Sequence, residues 1–188
     1  MHILLETGHL RLRQFQMDDV DRLVELDSDP EVMRYITFGV ATPRASYVEI
    51  YLPRWFEIYA RQPGLGYFAA ELRDTGDFIG WFHLRDDRIE PDYLELGYRL
   101  CRSAWGQGYA TEGSLALVRH AFETIRAERL SARTLERNLA SQRVMQKCGL
   151  KFGGRFEYPQ DVIGGRSPDE RAAVKYALTR PEWLSRRD

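Results

Sequence analysis

Two glycines in the run Trp105-Gly106-Gln107-Gly108-Tyr109-Ala110-Thr111-Glu112 constrain this chain more than any other feature. They fall between a strand-like run at residues 93–101 and a stretch whose Ala110, Leu117, Val118, Ala121, Phe122 and Ile125 keep to one helical face. The first amides of a helix lack internal partners and point outward. The helix dipole adds positive potential at the same place. Glycine lets the chain turn tightly and lets a ligand approach the backbone. A turn of this kind can cradle a diphosphate without any basic side chain. Spacing narrows the choice. A dinucleotide-type G-x-G-x-x-G needs a third glycine at 111, where Thr111 stands, and a P-loop needs four residues between its glycines, then Gly-Lys-Ser/Thr. What remains is G-x-G-x-A, a pattern that purely structural turns share.

The rest of the chain reads as alternating elements. Residues 10–15 (Leu-Arg-Leu-Arg-Gln-Phe) have the period-two pattern of a half-buried strand. Asp18 and Asp19 open a helix carrying Val20, Leu23, Val24 and Leu26, which Ser28-Asp29-Pro30 ends. A second helical stretch spans 44–59, with Pro53 as a kink or break. Strands follow at 67–72 and 78–84, joined by the turn Asp74-Thr75-Gly76-Asp77. A polar loop at 85–92 leads to the strand at 93–101. After the long helix come a strand at 130–135, a helix at 140–148 and a strand at 152–158. A loop at 159–169 and a last strand at 171–178 complete the order. An antiparallel meander followed by a strand–helix–strand unit predicts an α/β (α+β) fold, a mixed, mostly antiparallel sheet with helices on both faces.

With 188 residues, the chain fits one domain spanning 1–188. Lysine and arginine number 27 against 28 acids, a net charge of -1, which gives no electrostatic case for nucleic acid or an anionic membrane. No window approaches the roughly 20 apolar residues of a membrane span. The first residues lack the basic start and small-residue cleavage site of a signal peptide, so a cytoplasmic location is expected. Cys101 and Cys148 are unpaired in spacing and read as packing residues. His2, His9, His83 and His120 show no metal spacing, so no metal site is expected.

Residues 105–110 resemble the R/Q-x-x-G-x-G/A diphosphate loop of the GNAT acetyltransferase superfamily, with Trp105 in place of the usual Arg or Gln and Ala110 in the last position. Trp-Gly-x-Gly-Tyr-Ala-Thr-Glu is similar to the branch of ribosomal-protein N-terminal (Rim-type) acetyltransferases and related small-amine enzymes. Asn138-x-x-Ser141, followed by Lys147-Cys148-Gly149-Leu150-x-Phe152, is similar to that branch's N-x-x-S…K-x-G-F segment. Asp29-Pro30-Glu31-Val32-Met33 and Tyr176-Ala177-Leu178-Thr179 match runs near its two ends. The resemblance covers nearly the whole chain and implies a GNAT-like acyl-CoA N-acyltransferase fold. It also implies acetyl-CoA as co-substrate and a small-molecule amine or peptide N-terminus as acceptor, with a homodimer as a family-level expectation. The acetyl group would pass directly, through a tetrahedral intermediate.

On this reading Leu100, Trp105, Gly106, Gln107, Gly108, Tyr109, Ala110, Thr111, Asn138 and Ser141 bind the co-substrate. Glu95 is the first choice for a general base working through a water, because a carboxylate desolvated beside the sheet opening has a raised pKa. Its plain alternative is a strand glutamate paired with an arginine. Ser141 is the candidate donor to the leaving sulfur, or else a residue of the helix cap, and Asn138 a pantetheine contact or the cap itself. Many family members carry a tyrosine as acid further along this helix; Met145 stands there instead. Glu112 in the first helical turn reads as a dipole partner pointing away from the diphosphate. His83 is a minor base candidate. Arg99, Arg102, Arg137 and Arg143 are candidates for phosphate contacts or for solvated surface. Tyr35, Phe38, Tyr47, Trp55 and Phe56 form either core or acceptor lining. Asp86, Asp87, Glu90 and Asp92 offer a cationic amine four acids, or are simply solvated. Two other classes stay open: a non-catalytic acyl-CoA-binding or sensor domain, and a nucleotide-binding regulatory domain.

Overall fold

The computed structural model of the chain describes residues 2–160 and 167–186. Among these residues eight strands form one sheet in the order β1-β2-β3-β4-β5-β6-β8-β7. They are β1 Ile3–Glu6, β2 Leu10–Gln14, β3 Gly66–Leu72, β4 Phe78–Asp86, β5 Leu94–Leu100, β6 Arg129–Leu135, β7 Lys151–Glu157 and β8 Ala172–Thr179. Every neighbouring pair is antiparallel except β5 and β6. That parallel pair is joined by the long helix, as a parallel crossover requires. The first strand, β1, adds to the expected order. The last strand inserts between β6 and β7.

The helices are α1 Val20–Ser28, α2 Pro30–Met33, α3 Arg44–Ser46, α4 Leu52–Arg61, α5 Tyr109–Glu123, α6 Leu139–Lys147, α7 Pro168–Arg171 and α8 Arg180–Leu184. Pro53 does not break the second helical stretch. It sits in the first turn of α4, and the preceding residues Tyr47–Tyr51 form a π-helical turn that carries the helical run past it. Asp29 ends α1 and caps α2, accepting from the Glu31 amide at 3.0 Å. The loop expected at 159–169 lies partly outside the described residues, at 161–166; Pro168 and Asp169 belong to α7.

Period-two alternation splits the core between the two faces. Phe68, Ala70, Phe82 and Leu84 face Leu117, Val118, Ala121 and Phe122 of α5 and Met145 of α6. Tyr67, Ala69 and Trp81 face Leu23 and Leu26 of α1, Tyr47, and Leu52 and Trp55 of α4. The arginines of β2 do not all meet solvent. Arg13 is buried, with its guanidinium on Asp19 at 2.7 Å and on Glu71. Its strand thereby holds the turn that starts α1. Among the described residues, no helix is long and apolar enough to cross a membrane.

Candidate active site

Strands β5 and β6 pair at only two positions, Leu94 with Leu130 and Glu95 with Ser131. Beyond them β6 stays paired to β8 as far as Leu135, while residues 96–100 of β5 have no strand partner on that side among the described residues. The sheet therefore opens into a wedge. Its closed end is bolted by Asp87, which accepts from the Ser131 hydroxyl at 2.6 Å, the Ile89 amide at 2.8 Å and the Glu90 amide at 3.1 Å, and pairs with Arg133. Arg133 also binds Glu90, which Lys175 holds from β8. Burial pushes the Asp87 carboxyl up, but these donors outweigh it and leave it below its ordinary value. Two of the four loop acids are thus structural, and the expectation of a free acidic cluster is corrected for Asp87 and Glu90.

At the open end lies the glycine turn. Gly106 and Gly108 have φ of +75° and +90°, a region closed to most side chains, and among the described residues nothing stands within 4 Å of where a Cβ would be. Gly108 caps α5. Among the described residues, the amides of 106–111 donate to no carbonyl or side chain. Glu112 is turned away, as expected: it accepts from the Thr7 hydroxyl at 2.6 Å and the His9 amide at 2.8 Å. Trp105 explains its departure from Arg or Gln by closing the turn, with its indole N–H on the Leu100 carbonyl at 2.9 Å. These amides and this empty space fit a diphosphate.

The two faces of β5 divide the remaining side chains. Tyr98 lies on the α5 and α6 face, in the unpaired stretch. Burial pushes its phenol up to about 12, with the Ser141 hydroxyl close enough to oppose the shift by a hydrogen bond. Asn138 caps α6: its side-chain oxygen accepts from the Ser141 amide at 3.2 Å, leaving the Ser141 hydroxyl for Tyr98. Met145 is buried in the core. Cys148 packs beneath, its thiol pushed up to about 12 by burial, which suits packing rather than nucleophilic work.

On the opposite face Glu95 pairs with Arg85 and lies 3.9 Å from Arg133. Burial raises its carboxyl above the ordinary value, and Asp87 adds to the rise while Arg85 and Arg133 oppose it. Glu95 sits at the last closed rung of the wedge, near the start of β5. Tyr158 lies within electrostatic reach of Glu95, Arg133 and Arg85. Arg99 turns to Asp27 and lies over the Trp81 ring at 4.9 Å, so it leaves the phosphate candidates. Arg102 binds Asp29 at 3.1 Å, Arg137 lies over Phe38 at 5.4 Å, and Arg143 is exposed. Tyr47 and Trp55 are core; Phe56 packs against that core, and Tyr35 lies under Arg34. Tyr98, Trp81 and Arg85 had no role in the sequence reading. Alternation along β5 puts Tyr98 with Leu94, Leu96 and Leu100, and nothing local marks the wedge it borders.

Residues 9–151 match the family model described as an acetyltransferase (GNAT) domain. The chain is 31% identical over 192 residues to the FsC-acetyl coenzyme A-N(2)-transacetylase of Aspergillus fumigatus, covering 96% of this chain and 77% of that one. Two solved structures share the fold at low identity. The spermidine N-acetyltransferase of Vibrio cholerae, in complex with CoA and spermine, has a TM-score of 0.75 at 13% identity, covering 95% of this chain and 99% of that one. RimL, a ribosomal L7/L12 alpha-N-protein acetyltransferase in complex with coenzyme A, has a TM-score of 0.76 at 17% identity, covering 95% and 98%. With a wedge between parallel strands, an open amide turn at its mouth and these relatives, the chain belongs to the GNAT family and is an acetyl-CoA-dependent N-acetyltransferase.

Proposed function

We propose that residues 1–188 form one catalytic domain of the cytoplasm that passes acetyl directly to a primary amine. The acceptor is a peptide N-terminus or a small amine, and the chain sits with the Rim-type branch. The wedge carries this reading, because it lets β5 present different side chains to two reactants from its two faces. The names of the relatives, an N(2)-transacetylase, a spermidine enzyme and an alpha-N-protein enzyme, support an amine acceptor without choosing among them. The free thiols of Cys101 and Cys148 suit a reducing compartment.

Acetyl-CoA, when bound, supplies a thioester whose carbonyl an amine can attack. The amides of Gly106, Gln107, Gly108, Tyr109, Ala110 and Thr111 would hold its diphosphate, with Trp105 fixing the turn. Leu100 and Asn138 would border the arm. Glu95 takes the amine's proton through a water; burial shifts it toward the working pH, and Arg85 holds it in place. Ser141 donates a hydrogen bond to the departing sulfur from the other face, with Tyr98 beside it, and the thiolate takes its proton from solvent. Proximity in the wedge does the rest, since holding two reactants aligned removes much of the barrier.

A thiol-release assay with acetyl-CoA tests this against peptides with free N-termini, amino-acid amides and polyamines. CoA release with at least one acceptor, and a mass increase on its amine, is the expected result. Acetyl-CoA binding with no release on any acceptor would make the protein a sensor.

A further inference from the structure

Five side-chain nitrogens on one face of the sheet are buried and unpaired: Trp81 Nε1, both ring nitrogens of His83, and Nε of Arg85 and of Arg99. Ser114 Oγ is the one other such atom among the described residues. Register explains the clustering. Trp81, His83 and Arg85 are alternate residues of β4, standing opposite Arg99, Gly97 and Glu95 of β5. This is the Glu95 face, across the sheet from Tyr98 and Ser141. Buried polar groups are normally paired, so a cluster without partners beside an open seam marks a place where a partner binds.

His83 is the most telling member. The arginines keep their terminal nitrogens on Glu95 and Asp27, whereas the imidazole holds no hydrogen-bond partner among the described residues. Its ring fits only because residue 97 is glycine: a Cβ there would stand 2.5 Å from Cε1 and 2.7 Å from Nε2. Trp81 stacks on it at 5.8 Å, and Tyr67 meets it edge-on at 5.1 Å. Gly97 belongs to the unpaired stretch of β5, so the ring lies beside the wedge. Burial first, then Arg85, Arg88 and Arg99, hold the imidazole well below its ordinary pKa. It is therefore neutral, with one N–H and one lone pair. The residue is half-buried although both nitrogens are covered, and a half-turn of the ring exchanges each nitrogen with a carbon.

The geometry points to His83 as a direct contact for the acceptor, its lone pair taking a hydrogen bond from the incoming amine while Trp81 Nε1 donates to a carbonyl or carboxylate oxygen beside that amine. This rests on the reading above, in which the amine arrives on the Glu95 face. A neutral imidazole can accept from an uncharged amine. Trp81, Arg85 and Arg99 can only donate. Their complement is an amine flanked by oxygen acceptors, such as an amino-acid or peptide α-amine. A polyamine would leave them unmet.

The test measures initial rates of CoA release by the full chain with two matched pairs, phenylalanine amide against phenethylamine and leucine amide against isoamylamine. Rates are corrected to the neutral fraction of each amine. The wild type is expected to favour the amides by about tenfold or more. His83→Phe is expected to lower kcat/KM for the amides by about 10- to 100-fold. Its acetyl-CoA affinity and Tm should not fall, because an apolar ring replaces an unpaired polar one. His83→Gln, which keeps an acceptor atom, should recover part of the loss. Wild-type kcat/KM in His83→Phe, or equal use of the amines lacking the carbonyl, overturns this inference while leaving direct transfer intact. CoA release with no amine at all overturns the underlying reading.

Discussion

Replacing Gly113 with alanine adds one methyl group where α5 rests on the sheet. A Cβ at that position would lie 2.4 Å from Phe82 Cζ, 2.7 Å from Cε1 and 2.8 Å from Cε2. Carbon atoms in ordinary contact stand about 3.5–4.0 Å apart, so the gap must open by about 1 Å. Gly113 has an ordinary helical φ, so the strain is purely steric. Phe82 is fully buried in the middle of β4 and packs on Tyr98 at 5.8 Å, so it cannot swing aside without leaving its rotamer. Lifting α5 is the easier response. Residue 113 lies about one turn from Tyr109, so the amides of 109–111 move with it. Overpacking costs about 1–3 kcal/mol, and alanine's better helix propensity returns about 1 kcal/mol. The net loss of about 0–2 kcal/mol lowers Tm by up to about 8 °C in a chain of this size. Acetyl-CoA affinity should fall about tenfold, some 1.4 kcal/mol, as the amides leave their alignment. Calorimetric titration and a thermal melt read both quantities. Wild-type affinity together with wild-type Tm would show that Phe82 does not seat the helix and would refute the reasoning.

Glu95→Gln should lower kcat by about 100-fold or more with little change in acetyl-CoA affinity. Because burial raises the Glu95 carboxyl above 4.5, the acid limb of kcat/KM should lie above that pH in the wild type and vanish in the variant; full activity across pH would remove Glu95 from the mechanism. Asp87→Asn should cost about 3–5 kcal/mol, since it leaves Arg133 short of its main buried partner. Asp87 is held below its ordinary 3.8, so its contribution is complete above that value and is lost as pH falls through the lower folded pKa. Denaturation curves of the two proteins should therefore converge only below about pH 3.8; a constant gap at lower pH would contradict the Asp87 bolt.

The glycine turn, the long helix and the meander were legible because each rests on local spacing. Gly106 and Gly108 need positive φ, and the apolar stripe of α5 has a helical period. The short β1 was missed because Ile3, Leu4 and Leu5 show no alternation. Burial of Arg13 was also illegible. Leu-Arg-Leu-Arg reads as one wet face, yet the partners that bury Arg13, Asp19 and Glu71, are supplied by the fold. The acids at 86–92 misled for the same reason, because Ser131, Arg133 and Lys175 come from distant strands. The wedge itself is a mismatch between two pairings of β6, so no single segment encodes it. Tyr98 and His83 gain their positions only once that wedge exists.

Amide chemical shifts of uniformly 15N-labelled protein, followed while CoA is titrated in, test the amide cradle most directly. The largest shifts should fall on residues 106–111, accompanied by shifts along 96–100 of β5. Saturating shifts confined to other segments, with the amides of 106–111 unmoved, would contradict the account.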